Sequence, residues 1–426
     1  MDFAKGALYD PADRSSEKIT MRILVLTPTF FPIMGGAELG IYRLCRYAAR
    51  AHAVCVLAPR PSAQSCADYG MEENGFDMSS FSLVHFADRF NLKDAPGQRR
   101  LRGRIPPFSL SQAHAALRQA RSFRPDVVLA FYALPSGLAA ACVRKRLGIP
   151  VVLSIIGRDV PGPGIPEFWK HYVRWSMRRA DHTLFISDYC RQAAGADPGF
   201  PSAVIPFGVD PAPFAHAVDA SLLRDQLGIP GEANVLLALQ RLDPWKQVDV
   251  LIRAMGFLRD QPDVYLVVGG KGPELPKLKR ISEELGLTAR VRFTGYIPDS
   301  ELPVYYALAD VFVFHSTYET FCLSLLQAMA AGKPIVSVGS TAIPELVRHG
   351  ENGLLVAPGD AAAFAGAVRR LLADVDLRER FAVESRRRVR ECYDWERVGR
   401  RYVSALEQCL RQVRNNRDAA EPEGSA

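Results

Sequence analysis

Short, continuously apolar runs recur along this chain, each followed by a stretch with helical spacing. In the first half they are Arg22–Thr27, Ala53–Ala58, Asp126–Tyr132, Val151–Ile156 and His182–Ser187. In the second half they are Asn234–Leu239, Val264–Val268, Val291–Thr294, Val311–Phe314 and Ile335–Val338. A strand with one wet face alternates apolar and polar residues. One that is apolar throughout is covered on both faces, as in a parallel sheet between helices. The segments between the runs agree: Ala37, Ile41, Leu44, Cys45 and Ala48 fall on one stripe at helical spacing. Strand–helix alternation in both halves predicts an α/β protein with two doubly wound sheets.

A chain of 426 residues also exceeds what one ordinary core serves. The break is expected after Ile205-Pro206-Phe207-Gly208-Val209-Asp210, where Pro211 and Pro213 mark an extended connection. This gives one domain over residues 21–208 and a second over 209–394. Residues 1–20 have no hydrophobic stretch and read as a disordered extension, not a signal peptide. Residues 415–426 read as a flexible polar tail.

With 48% hydrophobic and 23% charged residues, the composition is that of a soluble globular protein. No apolar run reaches the roughly 18 residues needed to span a bilayer. The eight cysteines are scattered singly with no CxxC pair, which suits buried thiols in a reducing cytoplasm and argues against metal ligation by cysteine. The net charge of +7 is unevenly placed, with seven arginines and no acid between Ala95 and Pro125. The segment Arg99–Arg104 reads either as a solvated loop or as a patch for an anionic membrane or phosphorylated substrate. No nucleic-acid recognition motif accompanies it.

The candidate chemistry gathers after the strands. Gly35-Gly36 precede the first helix, and glycines let backbone amides approach a phosphate at a helix N-terminus. Arg241 and Lys246 follow the strand Asn234–Leu239, at the carboxyl edge where open α/β sheets bind ligands. A guanidinium fork and an ammonium suit a diphosphate. A second glycine loop, Gly269-Gly270-Lys271-Gly272, follows the next strand. After the strand Val311–Phe314, Glu319 sits ahead of Thr320, Phe321, Cys322 and Leu323, whose amides open a helix. A carboxylate there accepts sugar hydroxyls, or merely favours the helix N-terminus.

In their order, Gly35-Gly36-Ala37-Glu38, the Ile205–Asp210 segment, Arg241 with Lys246, Gly270 to Pro273, and the block from Tyr318 to Gly332 resemble the retaining family 4 glycosyltransferases. The resemblance spans roughly Met21 to Leu410. It implies the GT-B fold, two Rossmann-like doubly wound domains facing across a cleft. It also implies a nucleoside-diphosphate sugar as donor, transfer with retention by attack on the face the nucleotide leaves, and no metal. Gly36 would lie against the donor phosphates, Arg241 and Lys246 on the diphosphate, Glu319 on the sugar hydroxyls, and Phe321 and Leu323 at the phosphate-binding turn. Glu345 is a further candidate that a helix-start acid explains equally well. The amphipathic stripe Trp395, Val398, Tyr402, Ala405, Leu406 and Cys409 would place residues 395–414 on a helix crossing back to the first domain.

The chain departs from the family pattern at three places. Gln327 stands where a second glutamate would meet the ribose; an amide keeps an acceptor and adds donors. Ile156 stands where some members carry a histidine, leaving Arg158 and Asp159 as the polar groups expected on the acceptor side, Asp159 as base, hydroxyl-orienting group or helix cap. Ala130-Phe131-Tyr132 replaces another histidine-containing loop. The acceptor expected is a glycan, polysaccharide or lipid-linked sugar, met in the cytoplasm or on the inner face of a membrane. A nucleotide-sugar 2-epimerase of the same fold, or a donor-binding protein without transfer activity, remains as the alternative.

Overall fold

The computed structural model describes residues 20–33, 35–61, 76–88, 109–157, 159–162, 167–197, 199–216 and 218–419. The first sheet contains β1 (Arg22–Leu26), β2 (Ala53–Pro59), β3 (Ser82–Phe86), β4 (Val127–Phe131), β5 (Val151–Ile155), β6 (His182–Phe185) and β7 (Ser202–Val204). The second contains β8 (Asn234–Leu239), β9 (Val264–Gly269), β10 (Val291–Gly295), β11 (Val311–Val313), β12 (Ile335–Val338) and β13 (Gly353–Val356). The orders are β3-β2-β1-β4-β5-β6-β7 and β10-β9-β8-β11-β12-β13. Every pairing is parallel. These are two Rossmann-like α/β domains. In each, the order reverses beside the first strand of the sheet, between β1 and β4 and between β8 and β11, and this reversal opens the crevice that ligands of such sheets use.

Three strands lie outside the sequence expectation: β3, β7 and β13. Each is an edge strand. With a neighbour on one side only, Ser82–Phe86 and Ser202–Val204 keep mostly half-buried residues, so the continuous apolar signal fades there. The strand expected over His182–Ser187 stops at Phe185, because Ser187 caps the helix Asp188–Ala193 through its Oγ, which accepts from the Cys190 N–H at 3.1 Å.

One apolar core runs from Met21 to Phe207 and takes in Val398, Tyr402, Ala405, Leu406, Cys409 and Leu410. Val209 and Tyr393 belong to a core of the second sheet. The chain crosses twice at one place, where the Val209 N–H donates to the Tyr393 carbonyl at 2.8 Å. The helix Trp395–Asp418 then lies on the first domain. Tyr402 is 0% exposed and its hydroxyl donates to the Ile205 carbonyl at 3.2 Å. Arg401 donates to the Val204 carbonyl at 2.7 Å. Gly399 sits so close to the Tyr47 ring that a side chain there would overlap it. The helix continues through Asp418, so residues 415–418, expected in the tail, extend its polar last turn. Residues 1–19 and 420–426 lie outside the described residues.

Because Tyr402 fills the first domain's core from far along the chain, Tyr402→Ala should cost about 3–5 kcal/mol in denaturant melts. Arg414→Ala, on the exposed side of the same helix, should stay within about 0.5 kcal/mol. Equal effects from the two would contradict this docking.

Candidate active site

Arg241 and Lys246 leave the carboxyl end of β8, and their loop is held from beside. The Leu242 N–H donates to the Lys271 carbonyl at 2.9 Å, and the Glu274 N–H to the Leu242 carbonyl at 3.0 Å. Gly270 has φ +135, and a side chain on it would collide with the Gln240 carbonyl. Only glycine permits this approach. The Gly270 N–H donates to the Gly295 carbonyl at 2.6 Å. Gly270 therefore supports the Arg241 loop, and its amide is engaged inside the protein instead of standing open to a phosphate as its sequence position suggested. Arg241 pairs with Asp243 through two bonds of 2.9 and 3.2 Å. Asp243, 7% exposed, then starts the short turn Pro244–Lys246.

That turn is stitched to the loop after β11. The Thr317 N–H and hydroxyl both donate to the Trp245 carbonyl, at 2.9 and 3.1 Å. The stitching brings Lys246 against Glu319, and the ammonium bonds the carboxylate directly. Glu319 is 7% exposed, and its own N–H donates to Thr341 Oγ1 at 2.9 Å. Lys246 Nζ also stands 5.4 Å from the centre of the Phe314 ring. Burial works against the ammonium, but the Glu319 carboxylate prevails with help from the surroundings, and Lys246 titrates above the ordinary lysine value.

The helix Leu323–Ala330 begins just beyond, with Cys322 as its capping residue. Burial, then the neighbouring Glu319, pushes the Cys322 thiol up to about 12, so it is neutral and inert near pH 7. Across the cleft, Gly36 opens the helix Gly36–Ala48. A Cβ placed on Gly36 would stand 3.7 Å from the Leu323 Cβ. Two helix N-termini from opposite domains thus meet at van der Waals distance, and each carries partial positive charge. The Gly35 N–H donates to Glu38 Oε2 at 3.2 Å, so this glycine loop is braced by its own helix. Gln327 lies deeper, 8% exposed, with its Oε1 accepting from the Tyr306 hydroxyl at 3.3 Å.

Other residues of these loops join the domains. The Tyr318 hydroxyl donates to the Val160 carbonyl at 3.2 Å, and its ring covers Gly162 so closely that a side chain there would overlap it. Thr320 Oγ1 donates to the Ile156 carbonyl at 3.2 Å. Phe321 packs against the cores of both domains. Glu345 accepts from the N–H groups of Asp188 and Tyr189 at 2.9 and 2.8 Å. It caps a helix of the opposite domain, whereas sequence alone offered the start of its own helix. Burial raises its carboxyl above the usual range, against the pull of those two amides. The sequence carried no signal for the contacts of Tyr318 or Trp245.

On the acceptor side, Asp159 is 3% exposed. Its carboxylate accepts from the Ala133 N–H at 2.7 Å and the Gly157 N–H at 3.2 Å, tying the loops after β4 and β5 together. Burial pushes it up to about 6 in spite of these bonds. Asp159, expected as base, hydroxyl-orienting group or helix cap, holds two loop amides in this structure. Arg158 and Arg99–Arg104 lie outside the described residues. Among the described residues no helix is long and apolar enough to cross a membrane.

The model of Glycosyltransferase Family 4 matches residues 34–213, and that of Glycosyl transferases group 1 matches residues 219–388. The chain is 34% identical over 290 residues to a GDP-mannose-dependent alpha-(1-6)-phosphatidylinositol monomannoside mannosyltransferase of Mycolicibacterium smegmatis, covering 64% of this chain and 74% of the relative. A D-inositol 3-phosphate glycosyltransferase of Acidothermus cellulolyticus is 30% identical over 292 residues, 62% of this chain and 64% of its own. Among solved structures, Anabaena HepE in complex with UDP and glucose superimposes with TM-score 0.75 at 22% identity, covering 91% of this chain and 99% of that one. Sucrose-phosphate synthase from Thermosynechococcus elongatus gives TM-score 0.77 at 21% identity, with 92% and 100% coverage. With one model on each domain, and a close enough relative along most of its length, the chain belongs to glycosyltransferase family 4 and is a glycosyltransferase of GT-B architecture.

Proposed function

We propose that this enzyme transfers a sugar from a nucleoside-diphosphate sugar, with retention and without a divalent metal, to a glycan or lipid-linked acceptor. The observation that carries the reading is the meeting of two helix N-termini at Gly36 and Leu323, beside Lys246. Such a place favours an anion bound between the domains. A diphosphate there would meet the Lys246 ammonium and Arg241, and the charge it gains as the sugar–phosphate bond breaks would be met by groups already in position. Glu319, one loop away, would accept hydroxyls of the transferred sugar. Attack on the face the nucleotide leaves sets the acceptor hydroxyl beside the departing phosphate, whose oxygen can take the proton. That route requires no base from Asp159, whose oxygens hold two loop amides.

The names of the relatives supply the substrate classes. The mycobacterial-type relative is named for GDP-mannose and a phosphatidylinositol mannoside, and HepE was solved with UDP and glucose. A lipid-linked acceptor at the inner membrane face agrees with the arginines of Arg99–Arg104. Turnover with a panel of donors, followed by identification of a glycosylated product, tests the activity. A 2-epimer as sole product, or binding without transfer, would overturn it.

Lys246→Ala should lower kcat by roughly a hundredfold and also weaken donor binding, since the interaction strengthens as charge develops. An effect on KM alone would contradict that role. Turnover should survive EDTA; a complete loss restored by Mn²⁺ would overturn metal independence. Replacing Arg99, Arg100, Arg102 and Arg104 by serine should release the protein from phosphatidylglycerol vesicles, each cation near such a surface being worth about 1 kcal/mol. Unchanged sedimentation would remove the membrane from this account.

A further inference from the structure

The two groups assigned to different parts of the donor hold each other. Lys246 and Glu319 form an ion pair whose side chains are only 15% and 9% exposed. Water therefore cannot stand in readily for either partner, and separating them leaves an uncompensated charge unless something replaces each. The pair also joins two loops: its members are 73 positions apart, one after β8 and one after β11. Arg241 differs in this respect, since its carboxylate companion Asp243 belongs to its own loop.

We propose that the donor binds by an exchange of partners at this pair: a phosphate oxygen takes the Lys246 ammonium, and the Glu319 carboxylate so released turns to the hydroxyls of the sugar on the same donor. The inference rests on the donor placement given under Proposed function and deepens it. No covalent bond changes in the exchange. Its consequence is coupling between the phosphate and sugar subsites. A full donor compensates both members of the pair. A free nucleoside diphosphate compensates the lysine and leaves the glutamate without a partner, so the resident carboxylate competes against it. Glu319 thus acts as a selectivity device, holding the phosphate site against the nucleotide product while accepting the sugar-bearing donor.

The test is calorimetry on the full chain with GDP and with UDP, using whichever the wild type binds. Glu319→Gln removes the competing charge, so the nucleoside diphosphate should bind roughly three- to tenfold tighter than to wild type, while turnover is lost. Glu319→Asp keeps the charge on a shorter arm and should gain less, which preserves the test if the glutamine variant fails to fold. Lys246→Met should weaken the nucleotide, and the double variant Lys246→Met/Glu319→Gln should show none of the gain. If Lys246→Met weakens the nucleotide but neither Glu319 variant tightens it, the exchange is wrong and the donor placement stands. If no variant at Lys246 or Glu319 alters nucleotide binding, or neither nucleotide binds the wild type, the donor placement itself fails.

Discussion

Parallel strand pairing governs where chemistry can occur in this molecule. In a parallel sheet every carboxyl end lies at one edge, so the loops that follow the strands gather there. In both sheets the order reverses next to the sheet's first strand, and the loops on either side of the reversal diverge to opposite faces and leave a crevice. The loop after β1 carries Gly35 and Gly36, the loop after β8 carries Arg241 and Lys246, and the loop after β11 carries Glu319. All three come from reversal points. The topology also turns two helix N-termini toward each other, at Gly36 and Leu323. The chain path thus brings the amino ends of two helices from opposite domains together at the crevice.

Electrostatics then explains how the site holds together. A buried charge destabilises a fold unless paired; the mostly buried Lys246 is paired with Glu319, and the buried Asp243 with the exposed Arg241. One side of the cleft is closed by direct contacts between the domains. Tyr318 and Thr320 donate to carbonyls of the loop after β5, and Glu345 accepts two amides at the start of the helix Asp188–Ala193. Tyr318 and Thr320 flank Glu319 in sequence, so the contacts that hold the domains together also fix the glutamate's backbone. One loop therefore carries both these interdomain contacts and Glu319.

Ten strands were legible in the sequence, nine of them with a neighbour on both sides; the edge strand β10 was legible too, through Val291 and Phe293, whereas β3, β7 and β13 at the other edges were not. The site residues were legible singly, as charged or glycine positions after strands. Their pairing was not. Lys246 finds Glu319 only because Trp245 offers its carbonyl to Thr317, a contact no spacing rule encodes. Glu345 looked like the first-turn acid of its own helix, and does occupy that turn, yet its carboxylate serves a helix in the other domain. For Gly270 the sequence marked a glycine loop after a strand but neither its φ nor the use of its amide. Asp159 shows the same limit: a polar residue after a strand announces a loop role, and its bonds to the Ala133 and Gly157 amides carry no sequence signal.

Catalysis as proposed requires a diphosphate beside the two helix N-termini, with Lys246 turned from Glu319 toward it. A crystal structure of the enzyme with its nucleoside-diphosphate sugar measures this directly. The account predicts the diphosphate at Gly36 and Leu323, Lys246 Nζ within hydrogen-bond distance of a phosphate oxygen, and the Glu319 carboxylate on a sugar hydroxyl. A donor bound elsewhere in the cleft, or one bound there with the Lys246–Glu319 pair still closed, would contradict it.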